Sequence, residues 1–127
     1  STLKGQTVFL AERCGELMHD NIITDRTILD VMAFTMNAKS IPHQDKEAFE
    51  TYASEFIREY DYIFYISPYG LEIEDNGVRE TDEHYRDLID FTITTLIKRH
   101  GHKAGAIEKI SGSTEERIQQ ILNVTKL

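Results

Sequence analysis

Two groups of residues in this sequence have the types and spacing to do chemistry on an anionic substrate. The first is Asp25-Arg26-Thr27. A carboxylate there can accept a proton from a hydroxyl nucleophile or sit beside Mg²⁺. The neighbouring guanidinium can grip a phosphate or carboxylate in two-pronged fashion. The plainer alternative is an Asp capping the next helix with a surface Arg beside it. The second group is Glu72-Ile73-Glu74-Asp75-Asn76-Gly77-Val78-Arg79, followed by Arg86 on the helix behind it. An acidic loop with two arginines can fold over a nucleotide as a lid and bring positive charge to a transferring phosphoryl group. The plainer alternative is a solvated loop whose arginines pair with Glu72, Glu74 and Asp82.

Other side chains carry weaker chemical signals. His100 and His102 flank Gly101 without a nearby cysteine, a poor zinc set, and histidines are favourable at a helix C-terminus. His19, His43 and His84 have no ligand spacing. The acidic run 72–75 lacks the loop spacing of an EF-hand. Cys14, the single cysteine, has no visible catalytic context and no disulfide partner in the chain.

The elements that must position these groups follow from periodicity. Apolar residues at Leu10, Cys14, Leu17 and Met18 predict a helix from about 2 to 19. Asn21 to Thr24, mostly β-branched, reads as a short buried strand. A second helix over about 27–37 would turn Leu29, Met32, Ala33 and Met36 inward. Ile41-Pro42 breaks it. Asp45 can cap a third helix over about 46–60, with Phe49, Tyr52, Ala53 and Phe56 on its inner face. Tyr62-Ile63-Phe64-Tyr65-Ile66 is an unbroken apolar run ended by Ser67-Pro68, the pattern of a strand buried on both faces. After a polar stretch, Thr81 opens a helix to about His100, where Gly101 ends it. Its inner face would run from Tyr85 and Leu88 to Leu96 and Ile97. Residues 104–110 form a last strand, and Ser113 with Glu116 makes a capping box for a final helix to about 124.

Strands separated by helices predict an α/β domain with a mainly parallel sheet between helical layers. The 127 residues make one domain. Only three strands are expected, fewer than a parallel sheet covered on both faces usually has, so a missing N-terminal portion is expected. In an open parallel sheet, ligands bind beyond the carboxyl ends of the strands, where Asp25 and Arg79 would fall.

Bulk properties narrow the partners. The net charge of −8 disfavours long nucleic acids and anionic membranes while permitting a small anionic ligand held by a few cations. No apolar run reaches the roughly 20 residues of a membrane helix, and a signal peptide is not apparent. With one cysteine, the composition fits a reducing, cytoplasmic compartment.

Taken together, the motifs carry a resemblance. The stretch Gln6 to Phe34, QTVFLAERCGELMHDNIITDRTILDVMAF, resembles the middle of P-loop kinases of the AAA-type ATPase/kinase group related to the ribosylnicotinamide kinase domain. The stretch Tyr60 to Asp90, YDYIFYISPYGLEIEDNGVRETDEHYRDLID, is similar to their next strand and lid. Ile110-Ser111-Gly112-Ser113 with Arg117 resembles the last strand and the loop near the nucleotide base. The resemblance implies a three-layer α/β/α P-loop kinase-like fold. It implies phosphoryl transfer from ATP, with Mg²⁺, to a small nucleoside-like or nucleotide acceptor. Asp25 would be the catalytic or metal-associated carboxylate. Arg26 and Thr27 would bind the acceptor. Arg79 and Arg86 would be lid arginines within a lid over about 69–86, and Ser111, Gly112 and Ser113 would lie near the base.

The departure is one motif. Such kinases cradle phosphate on Gly-x-x-x-x-Gly-Lys-Ser/Thr. None of the 7 glycines begins or completes that pattern. The expected place for it is upstream of Ser1, together with the first strand. Without it, little kinase activity is expected. The alternative is a non-catalytic nucleotide-binding or interaction module that self-associates or pairs with a partner segment across an open sheet edge.

Overall fold

The computed structural model describes residues 1–68 and 80–126. Among them are five α-helices and one parallel pair of strands, a mixed α/β arrangement dominated by helix.

Helix α1 spans Leu3–Glu16, and the Thr2 hydroxyl accepts from the Gly5 N–H at 3.0 Å to cap it. It buries Gln6 and Leu10, with Cys14 and Leu17 partly covered. Met18, expected on the same stripe, lies beyond the helix end and is exposed.

Residues 21–24 correct the sequence reading: they form no strand, and Ile23 is 94% exposed. β-branched residues favour extended backbone, but a strand exists only when a neighbour completes its ladder. Among the described residues none does. The expected three strands are therefore two, and Asp25 does not follow a strand.

Helix α2, Ile28–Met36, is the hub of the core. It packs against α1, against helix α3 (His43–Ser54) and against helix α4 (Glu80–His100). Ile28, Met32 and Ala33 are fully buried. Asn37 just past its end donates to the Thr92 hydroxyl at 2.9 Å, fixing it to α4. Helix α3 starts three residues earlier than Lys46. Its N-cap is Pro42 without a side-chain bond, and Asp45 sits in the first turn. The helix tightens into a 3-10 segment over Glu55–Glu59. Phe49, Ala53 and Ile57 face the core, whereas Tyr52 is exposed and rests edge-on against Phe56, 5.2 Å between centroids.

Strands β1 (Tyr62–Ile66) and β2 (Ala106–Ile110) pair in parallel, Phe64 opposite Glu108. One face, through Ile63, meets the helical core. On the other, Tyr62 and Ile66 are exposed and the Tyr62 and Phe64 rings stack at 6.1 Å. The expectation of a strand buried on both faces is thus corrected: helices cover one side. Two registry features align the pair. Gly105 donates to the Tyr60 carbonyl at 3.0 Å and Ala106 to that of Asp61 at 2.9 Å.

Helix α4 makes the crossover between the strands. Ile89 and Leu96 are buried, while Tyr85 and Leu88, expected inward, are largely exposed. It ends in a short 3-10 turn, Gly101–Lys103. Helix α5, Thr114–Thr125, carries the expected capping box on Ser113 and Glu116.

Candidate functional site

A concavity near the expected chemistry lies between α1 and α2, with a volume of about 420 Å³. That falls within the usual range of small-molecule sites, roughly 300–1,000 Å³. Gln6, Phe9, Glu12 and Arg13 line it from α1. Arg26 and Thr27 line it from the connecting turn, with Asp30, Val31 and Phe34 from α2.

The turn is shaped by local hydrogen bonding. Arg26 takes a left-handed backbone, φ 75, uncommon for a residue with a side chain. Its carbonyl accepts from the Thr24 hydroxyl at 3.0 Å. Arg13 Nη1 donates to the Asp25 carbonyl at 3.2 Å, and its Nε lies 2.7 Å from Glu16 Oε1. Arg13 therefore ties α1 to the turn. Thr27 then opens α2: its hydroxyl accepts from the Leu29 N–H at 3.0 Å, while its own N–H donates to Asp30 Oδ2 at 2.8 Å. The cap is Thr27, not Asp25, whose side chain is left exposed. From below, the buried Tyr60 phenol accepts from the Ile28 N–H at 3.1 Å.

The expected site residues are only partly brought together. Arg26 and Thr27 share the cavity lining, with Asp25 next to them in the chain. Arg79 lies outside the described residues, as does the lid segment 69–79. Arg86 sits on α4, its Nη2 3.8 Å from Asp87 Oδ1, and does not line the cavity. The cavity wall nevertheless comes near it: the Phe34 ring is 6.0 Å from that of Tyr85, one residue before Arg86. Ser111, Gly112 and Ser113 are elsewhere, at the start of α5. Ser111 exchanges two bonds with the Gln120 carboxamide, at 3.1 and 2.7 Å. Ser113 exchanges two with Glu116, whose carboxyl is held below its ordinary range by the Ser113 N–H.

The α1 wall was not anticipated. Gln6, Phe9 and Arg13 recur at three- and four-residue spacing and so share one helix face. That polar-aromatic stripe was a readable signal beside the apolar one. Gln6 is buried and accepts from the Thr35 hydroxyl at 3.3 Å.

Two further candidates have local explanations. His100 Nε2 is 2.8 Å from Glu50 Oε2, and Arg99 holds both oxygens of that carboxylate at 2.8 Å. Burial pushes the Cys14 thiol up, away from the reactive thiolate. Among the described residues no cluster of three or more His, Cys, Asp or Glu could hold a metal. Glu12 and Asp30 line the cavity that Asp25 borders, and Asp30 is taken up by the Thr27 N–H. The sequence does not contain Gly-x-x-x-x-Gly-Lys-Ser/Thr, the motif that cradles a triphosphate.

Comparison with protein-family models, curated proteins and solved structures returned no match for this chain. No helix among the described residues is long and apolar enough to cross a membrane.

Proposed function

We propose that the chain is the acceptor-and-lid portion of a phosphoryl-transfer enzyme with a three-layer, P-loop kinase-like fold, working in the cytoplasm. ATP, with Mg²⁺ carried on its phosphates, is the donor. A small nucleoside-like or nucleotide molecule is the acceptor. The acceptor oxygen forms the new bond to phosphorus as the bond to the ADP oxygen breaks. Where that oxygen starts as a hydroxyl, Asp25 is the candidate to take its proton. Arg26 and Thr27 hold the acceptor, and Arg79 and Arg86 belong to the lid.

One observation carries this reading: the Asp25-Arg26-Thr27 turn borders a ligand-sized cavity with a cation and aromatic rings in its lining. The phosphate loop and its strand must then come from a further segment placed at an open edge of the β1–β2 pair, since each strand is paired on one side only among the described residues.

The test is ATP consumption across a panel of nucleosides and nucleotides, using the chain joined to whatever residues its gene encodes before Ser1. Acceptor-dependent ADP release that falls at least tenfold on Asp25→Asn and on Arg79→Ala supports the assignment. Release indifferent to both substitutions overturns it.

A second reading is favoured by the exposed face of β1, where Tyr62 and Ile66 meet solvent. A non-catalytic module could cover that face by self-association or with a partner chain. Size-exclusion chromatography with and without ATP separates the two. A dimer that ignores nucleotide favours the interaction module.

A further inference from the structure

The lining of the α1–α2 cavity can be sorted by which polar groups are already committed. Asp30 is spent on the Thr27 N–H, and Thr27 on the Leu29 N–H. Arg13 is held by Glu16 and the Asp25 carbonyl, and Gln6 Oε1 by Thr35. Two charged side chains of the lining remain without a hydrogen bond or ion pair among the described residues: Glu12 on α1 and Arg26 on the turn. They do not pair with each other. Between the same walls stand two aromatic rings, Phe34 and Phe9, the latter 52% exposed although it lines a cavity.

Free charges of opposite sign, kept apart beside an exposed ring, define a ligand. It has an anionic end, a planar apolar body, and hydrogen-bond donors directed at a carboxylate. Resting on the acceptor reading above, we infer that this cavity takes a nucleoside monophosphate rather than an uncharged nucleoside. The phosphate meets Arg26, which can bind it through two N–H groups. The base lies against Phe9, where stacking tolerates any base. Glu12 accepts from the sugar hydroxyls or an exocyclic amine. A charge-assisted bond from the exposed Arg26 to phosphate gives about a tenfold preference over the matching nucleoside.

Calorimetric titration of the purified chain with nucleoside monophosphates and their parent nucleosides tests this. A monophosphate binding about tenfold tighter than its nucleoside is the expected result. Arg26→Ala should erase that preference. Glu12→Gln and Phe9→Ala should weaken both ligands alike. Circular dichroism on each variant separates lost binding from lost fold. Equal affinity for monophosphate and nucleoside, or a preference that survives Arg26→Ala, overturns the inference while leaving the acceptor reading standing. Absence of binding by either ligand overturns both.

Discussion

Tyr60 and Ile28 meet across the core: the phenol oxygen of one accepts the backbone N–H of the other at 3.1 Å, and both residues are buried. The bond satisfies a donor at the first residue of α2 that the helix itself cannot satisfy. It also connects the start of α2 to the residue leading into β1, and so holds the Arg26 turn against the sheet.

Removing that hydroxyl should be costly. Tyr60→Phe keeps the ring and orphans a fully buried N–H, which costs about 1–3 kcal/mol. Urea unfolding should show a lower midpoint with an unchanged slope. The pH dependence follows from the same burial, which pushes the Tyr60 phenol up to about 12 against an ordinary 10. The folded state then holds its proton more tightly than the unfolded state. Its contribution is complete below pH 10 and is lost as pH rises from there through about 12. In Tyr60→Phe that part of the alkaline loss should vanish.

The Glu50 cluster should govern the acid side. Burial alone would raise this carboxyl, but hydrogen bonds and charge from Arg99 and His100 outweigh it and hold Glu50 below its usual value of 4.5. The folded-state value is depressed. The stabilisation is therefore present above 4.5 and lost as pH falls through the folded value. Glu50→Gln should cost about 1.5–3 kcal/mol at neutral pH, the worth of hydrogen bonds to a charged group. The difference from the parent should shrink in acid, as read by thermal melts across pH.

Gly105 has no room for a side chain. A Cβ there would stand 2.4 Å from the Asp61 carbonyl oxygen, the same oxygen that accepts from Ala106. Backbone cannot yield as a side-chain tip can, so Gly105→Ala must shift the start of β2 and loosen the strand pair. A loss above about 2 kcal/mol in chemical denaturation is expected.

Arg26 offers a separation of backbone from side chain. Its left-handed conformation suits glycine, so Arg26→Gly should be about 1 kcal/mol more stable than Arg26→Ala. Both lose the guanidinium, so both should bind a nucleoside monophosphate equally poorly. Melting temperature and calorimetry on the same samples would read the two effects independently.

The parts of this molecule legible from sequence are those whose signals are local. The Ser113–Glu116 capping box names its own helix start, and five consecutive apolar residues at 62–66 announce β1. Residues 21–24 carried an equally good local signal and are not a strand, because pairing is a property of a neighbour and not of the segment. Met18 and Tyr52 fell on plausible apolar faces yet point to solvent, since periodicity marks a stripe but not where packing stops. In the candidate site, Arg26 and Thr27 were recognisable by type and order. Phe9 and Arg13 share a legible helix face with Gln6, but that this face walls a cavity depends on how α1 lies across α2.

The attachment of α5 has its own consequence. None of its residues is fully buried, and the Gln120 carboxamide gives and takes a bond with the Ser111 backbone just past β2, as an adjacent strand would. The last helix is moored by an amide pair more than by oil. Solvents that compete for amides should cast it off first, so that exchange with heavy water reaches residues 114–125 while the protons of α2 are still locked away.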